Sequence, residues 1–212
     1  MSRQRTKWII GIDEAGRGPL AGPVVVGGVA VKIQDKKQNI KVLRHIRDSK
    51  KLSAKQREEW FSILTKHPKI EYAVVKVWPK VIDRINIAQA ANLGAYRVYK
   101  KLNNVTSRQS SKSTRLLFER GREHTLLDGS LYLPGHILYK TIIKGDEKIP
   151  VISAASIIAK VTRDRTMRRL HKKYPQYGFD VHKGYGTELH RKMIKKFGRA
   201  EIHRKSFKMS SA

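Results

Sequence analysis

The fold is decided by one stretch of the chain, Trp8-Ile-Ile-Gly-Ile-Asp-Glu-Ala-Gly-Arg-Gly-Pro-Leu-Ala-Gly-Pro-Val-Val-Val-Gly-Gly-Val-Ala-Val31. It contains two short apolar runs rich in β-branched residues, residues 8–12 and 24–31, which predict two strands. The segment between them, residues 16–23, is rich in Gly and Pro and predicts a turn. The second run is almost continuously apolar, as expected for a strand that is covered on both faces.

Outward from this stretch, apolar periodicity predicts strands that alternate with helices. Ser53 is expected to cap a helix that runs to about Lys66, and residues 70–78 alternate like a strand. The other predicted elements are a helix over residues 86–102, strands over 124–127 and 137–143, and helices over 150–174 and 187–197. The polar residues 103–114 predict a loop. Strands interleaved with helices indicate an α/β domain.

The charge of the chain points to a polyanionic partner. It has 46 Lys and Arg against 17 Asp and Glu, a formal net charge of +29 that is spread along its whole length. Nucleic acid is the first partner to consider, because Lys and Arg that neutralise phosphates release counterions. Charge alone does not separate a nuclease from a ribosomal or architectural protein. The chain has no Cys, which excludes disulfides, thiolate zinc sites and cysteine nucleophiles.

The N-terminal residues do not predict a targeting or membrane segment. The first apolar run covers only residues 8–12 before two acidic residues interrupt it. A signal peptide needs about 7 to 15 apolar residues and a membrane span about 20. We therefore expect a cytoplasmic protein that does not enter a membrane.

Four carboxylates lie at or near the ends of predicted strands: Asp13, Glu14, Asp128 and Asp146. The carboxyl ends of neighbouring strands converge on one crevice, where like charges would raise each other's pKa unless cations neutralise them. Mg²⁺ prefers oxygen ligands, and two such ions can activate water and stabilise a leaving oxygen in phosphodiester hydrolysis. As a set, these acids predict a divalent-metal site for hydrolysis.

Simpler interpretations remain for individual residues. Any one of these acids could form an ion pair with one of the many basic side chains. Asp13 and Glu14 are adjacent, and adjacent strand side chains point to opposite faces. Both can serve one site only if the chain bends there, or if one contributes through its backbone carbonyl. The eight His show no paired zinc spacing, and His182, His190 and His203 are interpreted as phosphate contacts or helix-surface residues.

The run Gly11-Ile-Asp-Glu-Ala-Gly-Arg-Gly-Pro-Leu-Ala-Gly-Pro-Val24 resembles the signature of ribonuclease HII, the type 2 ribonuclease H of bacteria. Further blocks follow in the order expected for that family and cover nearly the whole chain. They are Asp48-Ser-Lys-Lys-Leu-Ser53, Ile85-Asn-Ile87, Leu127-Asp-Gly129, Lys144-Gly-Asp146, Ser153-Ala-Ala-Ser-Ile-Ile-Ala-Lys-Val-Thr-Arg-Asp164, His182-Lys-Gly-Tyr-Gly-Thr187 and Ile202-His-Arg-Lys-Ser-Phe207.

This resemblance implies an RNase H-like fold, a central mixed sheet flanked by helices with a small C-terminal helical segment. Residues 1–174 would form the catalytic domain and residues 175–212 a substrate-binding segment of the same compact unit. The implied activity is that of a ribonuclease H, an endonuclease that hydrolyses the RNA strand of RNA/DNA hybrids. It would also cut at ribonucleotides embedded in duplex DNA, with Mg²⁺ or Mn²⁺, leaving 5'-phosphate and 3'-hydroxyl ends. We expect a monomer.

The resemblance also implies roles for individual residues. The family's metal-binding carboxylates fall on Asp13, Glu14, Asp128 and Asp146, the acids already selected by their position. Asp164 is interpreted as a residue that positions the metal-binding side chains without binding the metal, or as an ion-pair partner of Lys160 one turn away.

Substrate contacts are implied for a second set of residues. Gly16-Arg17-Gly18 resembles the family element that contacts the backbone at the RNA–DNA junction, although a plain tight turn would also explain the glycines. Tyr185 matches the tyrosine that stacks on the deoxyribose after the ribonucleotide, although such an aromatic is as often part of a core. Lys50 and Lys183 are predicted phosphate contacts.

Two other functions compete with this interpretation. One is a non-catalytic nucleic-acid-binding protein, indicated by the net charge of +29, which would show no preference for duplexes that contain ribonucleotides. The other is a DNA-directed nuclease or recombinase on the same fold, against which the Gly-Arg-Gly element argues.

Overall fold

The strands are interleaved with helices along the first part of the chain, and helices follow the last strand. The computed structural model describes residues 7–33, 43, 46, 52–108 and 125–209. The strands are β1 (Lys7–Ala15), β2 (Val24–Ile33), β3 (Ile70–Val77), β4 (Thr125–Asp128) and β5 (Lys140–Ile142). The helices are α1 (Ala54–Lys66), α2 (Pro79–Arg108), α3 (Gly145–Lys148), α4 (Pro150–Lys173), α5 (Phe179–His182) and α6 (Glu188–Phe197), with a 3₁₀ turn at Pro175–Tyr177.

The strands form one mixed sheet in the order β3-β2-β1-β4-β5. β1, β2 and β3 pair antiparallel, whereas β4 pairs parallel with both β1 and β5. The carboxyl ends of β1, β4 and β5 therefore meet at one end of the sheet, as the sequence predicts. The predicted α/β fold, a mixed sheet flanked by helices, is confirmed.

Both faces of the sheet are covered by apolar side chains. One hydrophobic cluster joins Trp8, Ile10 and Ile12 of β1 to α2, and a second joins the opposite face to α1 and α4. α4 approaches the sheet so closely that a Cβ at Gly11 would lie 2.5 Å from the backbone of Val151. Glycine and alanine at this contact let backbone pack on backbone.

The helix predicted over residues 86–102 is part of a longer helical segment. α2 begins at Pro79, is interrupted at Asn86, whose φ of 64° and ψ of 168° are non-helical, and continues to Arg108. The Asn86 side-chain oxygen accepts a hydrogen bond from Gln89 N at 3.0 Å, as a helix N-cap does. The predicted start is therefore the start of the second half of α2.

The loop predicted over residues 103–114 is wrong for residues 103–108, which are helical. Leu102 and Thr106, one helical turn apart, are both buried, so packing extends the helix through a polar sequence. Residues 109–114 of the predicted loop lie outside the described residues.

The strand predicted over residues 137–143 is shortened to β5. Leu138 and Ile143 are 50% and 75% exposed, so the apolar run does not continue as a buried strand. Lys144 then adopts a left-handed conformation with a φ of 55°, which turns the chain into α3. Asp146 therefore lies on the short helix that follows β5, near the strand end as the sequence predicts but not on the strand itself.

The C-terminal segment packs against the connection between β1 and β2. Leu20 N donates to Gly184 O at 2.8 Å, and Ala21 forms an isolated β-bridge with His203. A third apolar cluster, which includes Phe179 and Ile194, fills the space between them. In the part of the chain that the structure describes, no helix is long and apolar enough to cross a membrane.

Candidate active site

One cavity of about 410 Å³ lies where the ends of β1 and β4 meet α4. All four carboxylates selected from the sequence line it: Asp13, Glu14, Asp128 and Asp146. The parallel pairing of Ile12 with Leu127 carries the first pair of acids next to Asp128. The other polar side chains of the lining are Arg57, Ser156, Lys160 and Tyr185.

Asp13 and Glu14 reach this cavity although they are neighbours in a strand. β1 stays paired with β2 through Ala15, so the strand is not interrupted at these residues. Asp13 lies on the face covered by α4 and is only 4% exposed. Glu14 alternates to the other face, and its longer side chain reaches the cavity from the end of the strand. A contribution through a backbone carbonyl is not needed to bring both residues together.

Burial and mutual repulsion disfavour the charged forms of these two acids. The pKa of Asp13 is raised well above its usual value, mainly by burial and then by the charges of Glu14 and Asp128. Burial also raises the pKa of Glu14, although the Arg17 guanidinium, 3.3 Å from Glu14 Oε1, opposes the shift. A cation in the cavity would lower both pKa values and favour the carboxylates.

Asp128 and Asp146 are held by the turn that follows β5. Asp128 Oδ1 accepts hydrogen bonds from Gly145 N at 2.6 Å and from Asp146 N at 3.4 Å. A Cβ at Gly145 would lie 2.6 Å from the Ile152 side chain, so glycine permits this approach. The Ser153 hydroxyl donates to the backbone oxygen of Asp146. These contacts fix Asp146, which is 1% exposed, at the cavity wall.

The donor set fits a hard divalent cation, because carboxylate oxygens are the ligands that Mg²⁺ and Mn²⁺ prefer. Glu14 Oε2 is buried without a hydrogen-bond partner among the described residues, which leaves it available to a ligand. As the side chains stand, no three His, Asp or Glu of the described ranges form a ready-made metal cluster. The carboxylates match a metal in chemistry and would have to converge on it.

Gly16-Arg17-Gly18 forms the turn directly after β1, beside the cavity. Gly16 has a φ of 92°, in the left-handed region that favours glycine. Arg17 Nη1 contacts Glu14 and also donates to Ser130 Oγ at 3.0 Å. A Cβ at Gly18 would lie 3.9 Å from the ring of Tyr185. The turn, the tyrosine and the carboxylates therefore lie together.

Two buried arginines hold the connection between β1 and β2 in place, and no role was predicted for either of them from the sequence. Arg204 donates to the backbone oxygens of Gly16 and Arg17, both at 2.6 Å. Arg163 donates to the backbone oxygen of Pro23 at 3.3 Å. Both side chains are fully buried, and burial, together with the charge of Arg163, lowers the pKa of Arg204 to about 9.

The interpretation of His182, His190 and His203 as phosphate contacts or helix-surface residues is wrong, because all three are buried. His190 Nδ1 donates to Tyr185 O at 2.9 Å, since a carbonyl can only accept. His190 Nε2 then accepts from His203 Nε2 at 3.1 Å, and His203 Nδ1 accepts from Ala200 N at 2.9 Å. This chain of bonds requires neutral imidazoles and holds the backbone at Tyr185.

The remaining predicted residues do not line the cavity. Asp164 pairs with Lys160 at 3.0 Å, which confirms the predicted ion pair, and Lys160 itself lines the cavity. Lys183 lies near the turn, but its Nζ donates to the backbone oxygen of Asp180. Lys50 lies outside the described residues.

A protein-family model described as Ribonuclease HII matches residues 10–210. The chain belongs to the ribonuclease HII family. The match includes every residue of the cavity lining and both buried arginines, so site and scaffold lie within the shared region. Membership of the ribonuclease HII family makes the chain an endoribonuclease that acts on the RNA strand of RNA/DNA hybrids.

Individual relatives agree with the family match. Ribonuclease HII of Chlamydia muridarum is 45% identical over 199 residues, which cover 94% of this chain and 81% of the relative. The RNase HII in a PCNA complex from Archaeoglobus fulgidus is 29% identical, with a TM-score of 0.69 over 97% of this chain and 98% of that chain. Bst-RNase HIII in complex with Mn²⁺ has a TM-score of 0.70 at 18% identity, over 97% of this chain and 68% of that chain, and shows a similar fold.

Proposed function

We propose that this enzyme also cuts duplex DNA at single embedded ribonucleotides, at the junction between a ribose and the following deoxyribose. The observation that carries this proposal is the placement of Gly16-Arg17-Gly18 and Tyr185 beside the cavity that the four carboxylates line. The 2'-hydroxyl distinguishes RNA from DNA at such a junction. Glycines let backbone groups approach a sugar closely enough to detect it.

Asp13, Glu14, Asp128 and Asp146 would hold the catalytic cations, Mg²⁺ or Mn²⁺. When bound, such cations activate water for attack on phosphorus and stabilise the leaving oxygen, which gives 5'-phosphate and 3'-hydroxyl ends. Three observations support this assignment. The acids share one cavity, burial raises the pKa of Asp13 and Glu14, and Glu14 Oε2 has no hydrogen-bond partner in the described part of the chain.

Basic side chains around the acids would bind the substrate phosphates. Arg57 and Lys160 line the cavity, so their charges face the backbone of a strand that enters it. Arg17 bridges Glu14 and Ser130, where it can grip a neighbouring phosphate with its guanidinium. These cations would place the scissile phosphate next to the carboxylates.

Tyr185 would stack on the sugar that follows the ribonucleotide. Its ring is 44% exposed, yet it is supported from behind by the Arg163 guanidinium, 5.7 Å from the ring centroid. A supported and partly exposed ring offers a flat apolar surface to a deoxyribose.

We assign supporting roles to three further residues. Asp164 would hold Lys160 at the cavity through their 3.0 Å ion pair. Lys50 and Lys183 would contact phosphates farther from the scissile bond. For Lys183 this requires its Nζ to leave the backbone oxygen of Asp180.

Residues 1–174 would act as the catalytic domain and residues 175–212 as the substrate-binding segment of one compact unit. The proposed working form is a cytoplasmic monomer. Light scattering of the purified chain checks the oligomeric state, with a mass near 24.3 kDa as the expected result.

Three duplexes of one sequence test the proposed substrate: all DNA, DNA with one ribonucleotide, and an RNA/DNA hybrid. With Mg²⁺ or Mn²⁺ we expect cleavage of the last two, no cleavage of the first, and 3'-hydroxyl ends at a single position beside the embedded ribonucleotide. An enzyme that cuts the hybrid but leaves the single-ribonucleotide duplex intact would contradict the proposal. Cleavage of the all-DNA duplex would instead indicate a DNA-directed nuclease.

A matched pair of variants tests the role of Tyr185. Tyr185→Ala should slow cleavage of the single-ribonucleotide duplex by about five- to 150-fold, because one stacking contact with an aromatic ring contributes about 1–3 kcal/mol. Tyr72→Ala removes a ring of the same 44% exposure on β3, away from the cavity, and should leave the rate unchanged.

A further inference from the structure

A second concave surface lies at the edge of the sheet, apart from the carboxylates. It is a groove of about 730 Å³ between the edge strand β3 and α2, and Thr162 of α4 also lines it. Its charged lining consists of four cations, Lys76, Arg97, Lys100 and Lys101. We name this surface, defined by these residues, the β3 groove. Among the residues that the structure describes, no acidic side chain lines it.

The β3 groove and the active-site cavity lie on two sides of the same helix. Ser156 and Lys160 line the cavity, whereas Thr162 lines the groove. At about 100° per residue, Thr162 projects from α4 roughly 120° to 160° around the axis from those two residues. Lys76 pairs with Val25, the β2 partner of the last residue of β1. The groove is therefore at the same end of the sheet as the cavity, two strands away.

Positive charge surrounds the β3 groove. The pKa of Lys76 is lowered by burial and then by the charge of Arg169, another cation on α4. Lys100 Nζ lies 5.6 Å above the ring of Tyr96, a contact that leaves its positive charge uncompensated. Positive charges that crowd into a partly buried groove without acids favour a bound anion.

A peptide strand is a poor occupant of this groove. β3 is an edge strand of the sheet, and added strands bind through free backbone groups. Lys101 Nζ donates to the backbone oxygen of Val74 at 3.4 Å and so covers one of these groups. A basic side chain over an edge is a feature that discourages strand addition. The charge and the covered edge together favour a polyanion.

We propose that the β3 groove binds the phosphate backbone of duplex nucleic acid as a second site, separate from the carboxylate cavity. Binding there would be independent of base sequence and of sugar, because the described lining offers cations but no aromatic or amide side chain that reads bases. This site deepens the proposed function and rests on it, since a non-specific contact would keep the enzyme on DNA while it searches for a ribonucleotide.

Two double variants, each of which removes two positive charges, test the proposal. Arg97→Gln/Lys100→Gln removes two exposed cations from the β3 groove, and Lys55→Gln/Lys66→Gln removes two exposed cations from α1. The probe is a long all-DNA duplex in EDTA, so binding is measured without cleavage. Fluorescence anisotropy over a range of salt concentrations gives the affinity and the slope of log K against log salt.

The groove variant should bind the duplex about tenfold more weakly, and its salt slope should fall by about 1.8, or about 0.9 for each lost phosphate contact. The α1 variant should keep the slope of the unmodified enzyme. Equal losses in the two variants, or no loss in the groove variant, would overturn the proposal. A groove variant that keeps its affinity for DNA but loses binding of a polyglutamate probe would also overturn it, in favour of an acidic peptide.

The absence of Cys provides a direct second readout. Lys100→Cys and Lys66→Cys each create a single site for a photo-crosslinker, one in the groove and one on α1. We expect the all-DNA duplex to crosslink from position 100 and not from position 66; equal yields, or none from position 100, contradict the proposal. Cleavage of the single-ribonucleotide duplex by the same preparations reports separately on the proposed function.

Discussion

Buried ionisable groups occur in two neighbouring regions, and the two regions differ in how those groups are hydrogen-bonded or paired. In the cavity, Asp13 and Glu14 repel each other, and burial raises their pKa values. Beneath the Gly16-Arg17-Gly18 turn, Arg204 and His190 are also buried, but Arg204 donates to backbone oxygens, and the ring nitrogens of His190 bond to Tyr185 O and His203 Nε2. A buried polar or charged group is tolerated when it is paired or hydrogen-bonded, so the acids of the cavity, unlike Arg204 and His190, favour an external cation.

This difference separates a site from its scaffold. In the proposed function a cation would complete the acids of the cavity, so their removal should affect chemistry more than folding. Arg204, His190 and His203 are hydrogen-bonded within the chain, so their removal should affect folding first, and should affect chemistry only through the turn and Tyr185. The two regions should also respond to pH in opposite directions, because burial shifts their pKa values in opposite directions.

The largest expected effect is on the scaffold. Arg204→Met leaves the backbone oxygens of Gly16 and Arg17 without their buried donor, and each such loss costs about 1–3 kcal/mol. We expect a loss of about 4 kcal/mol in the free energy of unfolding, measured with denaturant. Arg168→Met is the control, since it removes an exposed 2.8 Å ion pair with Glu58 and should cost less than about 1 kcal/mol. Similar losses of stability in both variants would show that the buried hydrogen bonds of Arg204 contribute no more than an exposed ion pair.

The next effect is the acid response of the histidines. Burial lowers the pKa of His190 to about 4 from its usual 6.5. The unfolded chain therefore binds more protons between these values, so this stability is complete above about pH 6.5 and is lost as the pH falls towards 4. The expected loss is about 3 kcal/mol, at about 1.4 kcal/mol per pKa unit.

His190→Asn is the matched control for the acid response. It keeps a donor for Tyr185 O but does not titrate, so its stability should vary less between pH 6.5 and 4 than that of the unmodified protein. Parallel curves for the two proteins would assign the acid response to other groups.

The smallest expected effect is a gain in stability, whereas the two preceding effects are losses. Because the pKa of Asp13 is raised in the folded state, its charged form destabilises the metal-free protein as the pH rises through that pKa. Asp13→Asn should therefore raise the unfolding midpoint in EDTA at pH 8 by about 3 °C, the shift that about 1 kcal/mol produces in a domain of this size. Added Mg²⁺ should stabilise the unmodified protein more than the variant. A lower midpoint for Asp13→Asn in EDTA would show that the acid is satisfied without a cation.

The sequence predicted the acids better than the scaffold for a physical reason. Asp13 and Asp128 follow the apolar runs of their strands, and strand ends converge by geometry, so position along the chain was informative. Asp146 was found by the same rule, although it lies on α3 after a shortened strand. Thr106 shows the limit of composition, because packing extends α2 through residues that look like a loop.

Arg163 and Arg204 could not be singled out among 46 basic residues. Their roles depend on contacts with backbone oxygens 140 and 188 residues away in the chain, which no local pattern encodes. The burial of His190 and His203 likewise results from the docking of the C-terminal segment onto the turn after β1. Position relative to strand ends can be read from a sequence, whereas a buried cation that binds backbone oxygens becomes visible only in the fold.

Single-turnover cleavage of a duplex with one embedded ribonucleotide tests the central claim, that the buried carboxylates are completed by divalent cations for hydrolysis. With the unmodified enzyme we expect no cleavage in EDTA and full cleavage when Mg²⁺ or Mn²⁺ is restored. Asp13→Asn should bind the duplex with similar affinity but cut it about a thousandfold more slowly or not at all. Cleavage in EDTA, or turnover by Asp13→Asn at the unmodified rate, would contradict the claim.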